Sequence, residues 1–64
     1  MKVLVWEARD KRNMSIRELA LKTGIKKSTL HNIETGKKSP TLDELDKIAK
    51  ALNCKVTGLF NPYK

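Results

Sequence analysis

Lys26 and Lys27 precede, and Lys37 and Lys38 follow, a segment carrying the short polar side chains of Ser28, Thr29 and Asn32 together with His31. Ammonium groups hold phosphates as mobile point charges. Hydroxyl and carboxamide groups make directional hydrogen bonds. Such a set suits a polyanion that also exposes hydrogen-bonding edges. On a helix with no partner, the same lysines are only a solvated face, so the elements that position them decide. The other reactive residues speak against catalysis. One histidine, His31, and one cysteine, Cys54, fall short of the ligand count of a usual metal site. No nucleophile is paired with a base and an orienting group, and there is no glycine-rich phosphate loop. Asp43, Glu44 and Asp46 are explained by helix capping and the helix dipole. No enzyme activity, cofactor, metal or small-molecule ligand is therefore expected.

The chain has 64 residues, with 14 Lys and Arg against 7 Asp and Glu, a net charge of +7. That excess points to DNA, RNA or a membrane surface. It is uneven: eight basic and three acidic residues fall in 1–32, and six and four in 33–64. This length fits one domain, residues 1–64. It hides only about 60% of the surface of the unfolded chain, too little for a core and a deep substrate cleft together. A lone cysteine excludes an internal disulfide and favours a reducing cytoplasm. No 18-residue apolar run exists to span a membrane. The opening apolar stretch meets Glu7 and Arg9 too soon for a signal peptide.

The punctuation predicts five short helices. Residues 3–12 form the first, with Leu4, Val5 and Ala8 inward; a strand over Val3–Trp6 is the lesser reading, because no partner strand is evident. Ser15-Ile16-Arg17-Glu18 is a capping box that opens the second helix, which Gly24 stops. The third covers residues 26–34, with Leu30 and Ile33 on one face. Thr41-Leu42-Asp43-Glu44 is a second box behind Pro40. It opens a helix with the period Leu42, Leu45, Ile48, Ala49 and Leu52, closed by Asn53. Val56, Leu59 and Phe60 predict a fifth helix of one or two turns. The class is all-α.

Residues 16–34 carry the functional reading. Ala20 is small enough for a close crossing of two helices, Gly24 turns the chain, and Leu19, Ile25, Leu30 and Ile33 seal the corner. The outer face of the third helix is then free to enter a major groove.

With these residues in place, the sequence resembles the Cro/C1-type helix-turn-helix domains of phage repressors and bacterial regulators. The resemblance rests on Arg9, Ser15, Glu18-Leu19-Ala20, Thr23-Gly24-Ile25, Ser28-Thr29-Leu30, Ile33-Glu34, Gly36-Lys37, Ser39-Pro40, Leu42, Leu45, Ile48-Ala49, Leu52 and Leu59-Phe60. It spans roughly residues 4–60 and implies a lambda-repressor-like bundle. By position, it implies that Lys27, Ser28, Thr29 and Asn32 read bases, which their hydrogen-bonding chemistry allows. Ser15, Ile16 and Arg17 match the helix start that offers N–H groups to a phosphate. Lys37, Lys38 and Ser39 match a loop along the DNA backbone, with Lys26 and His31 as further phosphate neighbours. Arg9 and Glu34 match a structural ion pair.

The chain departs from the family pattern in four places. Lys26 stands where many members have a Ser or Thr cap, and Ile16 where many have Gln. Lys55 replaces a usual Ser cap and Gly58 a usual acid.

The implied function is sequence-specific binding of double-stranded DNA as a cytoplasmic transcriptional regulator of the repressor kind. A homodimer is expected on a near-palindromic operator, with Leu59, Phe60 and Tyr63 as the available seam. The alternative is an antitoxin or accessory interaction module that also binds DNA. RNA binding would want more aromatic residues than Trp6, Phe60 and Tyr63 for stacking.

Overall fold

The best-patterned segment forms the longest helix. In the computed structural model, which describes residues 2–61 and 63, Leu42–Leu52 is an α-helix whose Leu45, Ile48, Ala49 and Leu52 are all buried. Thr41 Oγ1 accepts from the Glu44 N–H at 3.1 Å, and the Glu44 carboxylate accepts from the Thr41 N–H at 2.9 Å, so this capping box is closed. Asn53 ends the helix in the left-handed conformation, φ 54°.

In chain order the elements are β1 (Lys2–Val3), α1 (Val5–Lys11), α2 (Ile16–Thr23), α3 (Lys27–Thr35), α4 (Leu42–Leu52), a 3-10 turn (Val56–Leu59) and β2 (Phe60–Asn61). The helices enclose one core of Val5, Leu19, Leu30, Ile33, Leu45, Ile48, Ala49, Leu52 and Leu59. Each helix contributes at least one of these residues, so no helix buries its apolar stripe alone. Among the described residues, no helix is long and apolar enough to cross a membrane.

Three expectations need correction. The first helix starts at Val5, because Lys2 and Val3 form a strand. Lys2 pairs with Asn61 and Val3 with Phe60 in an antiparallel ladder, and the Leu4 N–H donates to the Leu59 carbonyl at 2.7 Å. The fold class stays helical, with this two-residue ladder added to it. The fifth helix is a single 3-10 turn, started by Lys55 without a side-chain cap. A residue with no capping oxygen, and Gly58 inside the turn, do not support a longer α-helix. Finally, Ser15 Oγ accepts from the Glu18 N–H at 3.0 Å, but among the described residues only the box of α4 has its return bond.

Candidate nucleic-acid interface

The α2–α3 corner is built by three adjacent residues. Gly24 adopts φ 74°, a left-handed conformation natural to glycine, and its N–H reaches the Ala20 carbonyl at 2.9 Å. Thr23 Oγ1 donates to the Leu19 carbonyl at 2.8 Å and accepts from the Ile25 N–H at 3.1 Å. One hydroxyl therefore ties the last turn of α2 to the link into α3. This second role of Thr23 was not read from sequence; a threonine just before a cap glycine is the available signal.

Beyond the corner, α3 has two unlike faces. Leu30 and Ile33 are fully buried, and they fix the rotation of the helix about its axis. Lys27, Ser28 and His31 are exposed and Asn32 is half-buried. Together with Ile16 from the first turn of α2, these four residues line one shallow concavity. Thr29 is half-buried and does not line it. Arg17, Lys26 and Lys27 line an adjoining concave strip along α2 and the corner, so three cations converge beside the outer face of α3. No side chain caps the start of α3, and no acid occupies its first turn. Its first N–H groups are left without intrahelical acceptors, and the helix dipole adds to the positive field of Lys26 and Lys27. The start of α2 also keeps free donors: Ser15 is spent on Glu18, ahead of which the N–H groups of Ile16 and Arg17 have no intrahelical acceptor.

The loop after α3 treats its two lysines differently. The Lys38 N–H donates to the Asn32 carbonyl at 3.1 Å, folding the loop onto the end of α3. Lys38 Nζ lies 2.6 Å from both carboxylate oxygens of Glu44. That ammonium, together with the Thr41 N–H, holds the Glu44 carboxyl below the usual carboxylate range. Lys37 and Ser39 are exposed. Lys2, unnoticed in sequence, lines the same depression as Lys38 and Ser39. Only the β1–β2 pairing brings it there.

Arg9 and Glu34 anchor α3 from behind. Arg9 Nε donates to Glu34 Oε2 at 2.9 Å and Nη2 to Oε1 at 3.0 Å, while Nη1 reaches the Met14 carbonyl at 2.9 Å. The side chains are 15% and 6% exposed, so the pair is largely withdrawn from water. The bond to Glu34 raises the Arg9 pKa further, keeping it charged at any accessible pH. A second arginine, Arg12, bonds the Leu52 carbonyl at 2.6 Å and locks α1 onto the end of α4.

The possible dimer residues divide. Leu59 is fully buried inside the domain, so its side chain is spent on the core and offers no seam, contrary to the sequence reading. Phe60 is half-buried, and Tyr63 is 94% exposed.

Residues 7–59 match the family model described as Helix-turn-helix. The chain belongs to the Cro/C1-type helix-turn-helix family. This Cro/C1-type domain is 37% identical over 60 residues to two proteins of Archaeoglobus fulgidus, each described as an uncharacterized HTH-type transcriptional regulator. The aligned region covers 94% of this chain and 84% and 86% of the two relatives. The family is one of DNA-binding transcription regulators and not of enzymes.

Proposed function

We propose that this helix-turn-helix domain acts inside the cell as a sequence-specific transcriptional regulator, laying α3 in the major groove of an operator. The supporting observation is the division of α3. Buried Leu30 and Ile33 hold the helix in one rotation, and Lys27, Ser28 and Asn32 face outward with Ile16 beside them. A helix so held can present donors and acceptors to base edges in a defined register. Thr29, half-buried, contributes less to that surface. The start of α2 at Ser15, Ile16 and Arg17 supplies phosphate contacts, and Arg17, Lys26, His31, Lys37 and Ser39 line the approach. Lys38, engaged with Glu44, sets the shape of the loop.

One short reading helix covers too few base pairs for genomic specificity. A homodimer on a near-palindrome, with half-site centres about 34 Å apart, meets that need. Phe60 and Tyr63 are the surface residues for its seam. We infer the repressor role from the simplest consequence of occupancy, the exclusion of other proteins from the same duplex. The test is selection of bound duplexes from random DNA, followed by footprinting and a reporter assay. The expected result is two inverted half-sites one turn apart, and a reporter that falls on expression of the protein. A single half-site bound at full affinity by a monomer would overturn the dimer. Absence of any selected sequence would overturn base reading altogether.

A further inference from the structure

The concavity on the outer face of α3 contains one residue of the wrong chemistry for a phosphate contact. Ile16, the first residue of α2, lines it with Lys27, Ser28, His31 and Asn32. Its side chain is half-buried and packs against the hydrophobic core. One side of this isoleucine is therefore held by the protein while another forms part of the surface that carries the hydrogen-bonding residues. An aliphatic branch cannot hydrogen-bond a phosphate, a sugar hydroxyl or a base edge. The apolar group that a major groove offers is the 5-methyl of thymine.

The geometry points to Ile16 as a specificity residue that recognises a thymine methyl at the edge of each half-site. This inference rests on α3 reading duplex DNA. Holding Ile16 against the core reduces the rotamer freedom lost on contact. Lys27 and Ser28 lie at the first turn of α3, beside this residue, and read the neighbouring base edges. Selectivity then has two parts: polar contacts from α3 and one apolar contact from α2. The backbone N–H of Ile16 remains free for a phosphate, since its side chain and its amide serve different groups.

The experiment is a methyl scan. On the duplex obtained by selection, each thymine is replaced singly by deoxyuridine, which removes only the methyl group. Binding is measured for the wild type, Ile16→Ala and Ile16→Gln, with circular dichroism to establish that each variant is folded. Ile16→Gln keeps the length of the stem, and so serves if Ile16→Ala loosens the core. Burying one methyl corresponds to about a fourfold change in affinity. The expected result is one thymine per half-site at which deoxyuridine weakens the wild type about fourfold and leaves the folded variants unaffected. A flat scan on a duplex that is tightly bound would overturn this inference while leaving the DNA reading intact. A methyl dependence equal in wild type and both variants would assign the contact to another residue and overturn it too. Failure to select any duplex would instead bring down the DNA reading, and this inference with it.

Discussion

α3 and α4 follow one another in the chain, with nine and eleven residues, and both end on a left-handed cap residue, but their N-terminal ends are built in opposite ways. α4 is complete within the protein. Its capping box is closed, Asp43 and Glu44 occupy its first turn, and Asp43–Lys47 and Asp46–Lys50 pair one turn apart. α3 has no capping side chain, a lysine at its positive end and no acid in its first turn. Alone, that arrangement costs stability. An anion at the same end turns the cost into binding energy. The contrast is between a helix whose start is satisfied within the protein and one whose start is left unfinished.

The unfinished helix is tied to α1 by the largely buried Arg9–Glu34 pair, and removing one partner of it should have the largest effect. Glu34→Ala leaves a largely buried guanidinium without its carboxylate and is expected to cost about 3 kcal/mol in urea unfolding. Replacing both residues by well-packed apolar ones should recover most of this loss, short of the Arg9 bond to the Met14 carbonyl. A loss well under 1 kcal/mol for Glu34→Ala would mean that α3 is held by packing alone.

Next in size is the proposed reading face. Asn32→Ala should cost roughly 1–3 kcal/mol on the selected operator and little on scrambled duplex. Lys37→Ala should weaken both alike and make the salt slope shallower by about one unit. Titration at several salt concentrations tests both. Equal losses of Asn32→Ala on both duplexes would remove base reading from that residue.

The caps give a direct test of the contrast between the two helices. Thr41→Ala should lower stability by about 1 kcal/mol with unchanged base preference. Lys26→Ser supplies the missing cap, so it should raise stability by up to about 1 kcal/mol while weakening DNA binding and flattening its salt dependence. If Lys26→Ser were neutral in both thermal unfolding and DNA titration, the open end of α3 would have no bearing on function.

The smallest effect belongs to the Lys38–Glu44 pair, whose lysine is 39% exposed and therefore screened by water. Lys38→Met should cost under about 1 kcal/mol at neutral pH. Because the Glu44 carboxyl titrates below the usual carboxylate range, its contribution is present above that range and is lost as pH falls through the lowered folded value. Unfolding curves of wild type and Lys38→Met should thus converge in acid. Parallel curves down to pH 2 would mean that the pair does not form in solution.

Much of this molecule is visible in local sequence. Ser15, Gly24, Gly36, Thr41 and Asn53 mark helix ends through interactions that reach only three or four residues, and the structure has each at a cap. The period of α4 gives the buried face of Leu45, Ile48, Ala49 and Leu52, whereas Leu42, in the same period but at the first position of the helix, is 80% exposed. The division of α3 into an apolar and a polar face follows from the same periodicity, and so does the expectation that Lys27, Ser28 and Asn32 face outward. These features depend on neighbours along the chain, which a sequence displays.

The tertiary structure decided what depends on distant partners. Lys2 and Val3 become a strand only because Phe60 and Asn61 return beside them; a two-residue ladder has too little local signal to announce itself. Arg12 finds its carbonyl 40 residues away. Lys38 looked like Lys37 until the fold set Glu44 beside it. Leu59 and Tyr63 are both apolar in the same tail, yet one is fully buried and the other 94% exposed. Local rules give a residue's chemistry and the direction in which a helix sends it. What that side chain meets is fixed by packing against elements far along the chain, and this is why the caps and helix faces belong to the sequence, and the second role of each cation to the fold.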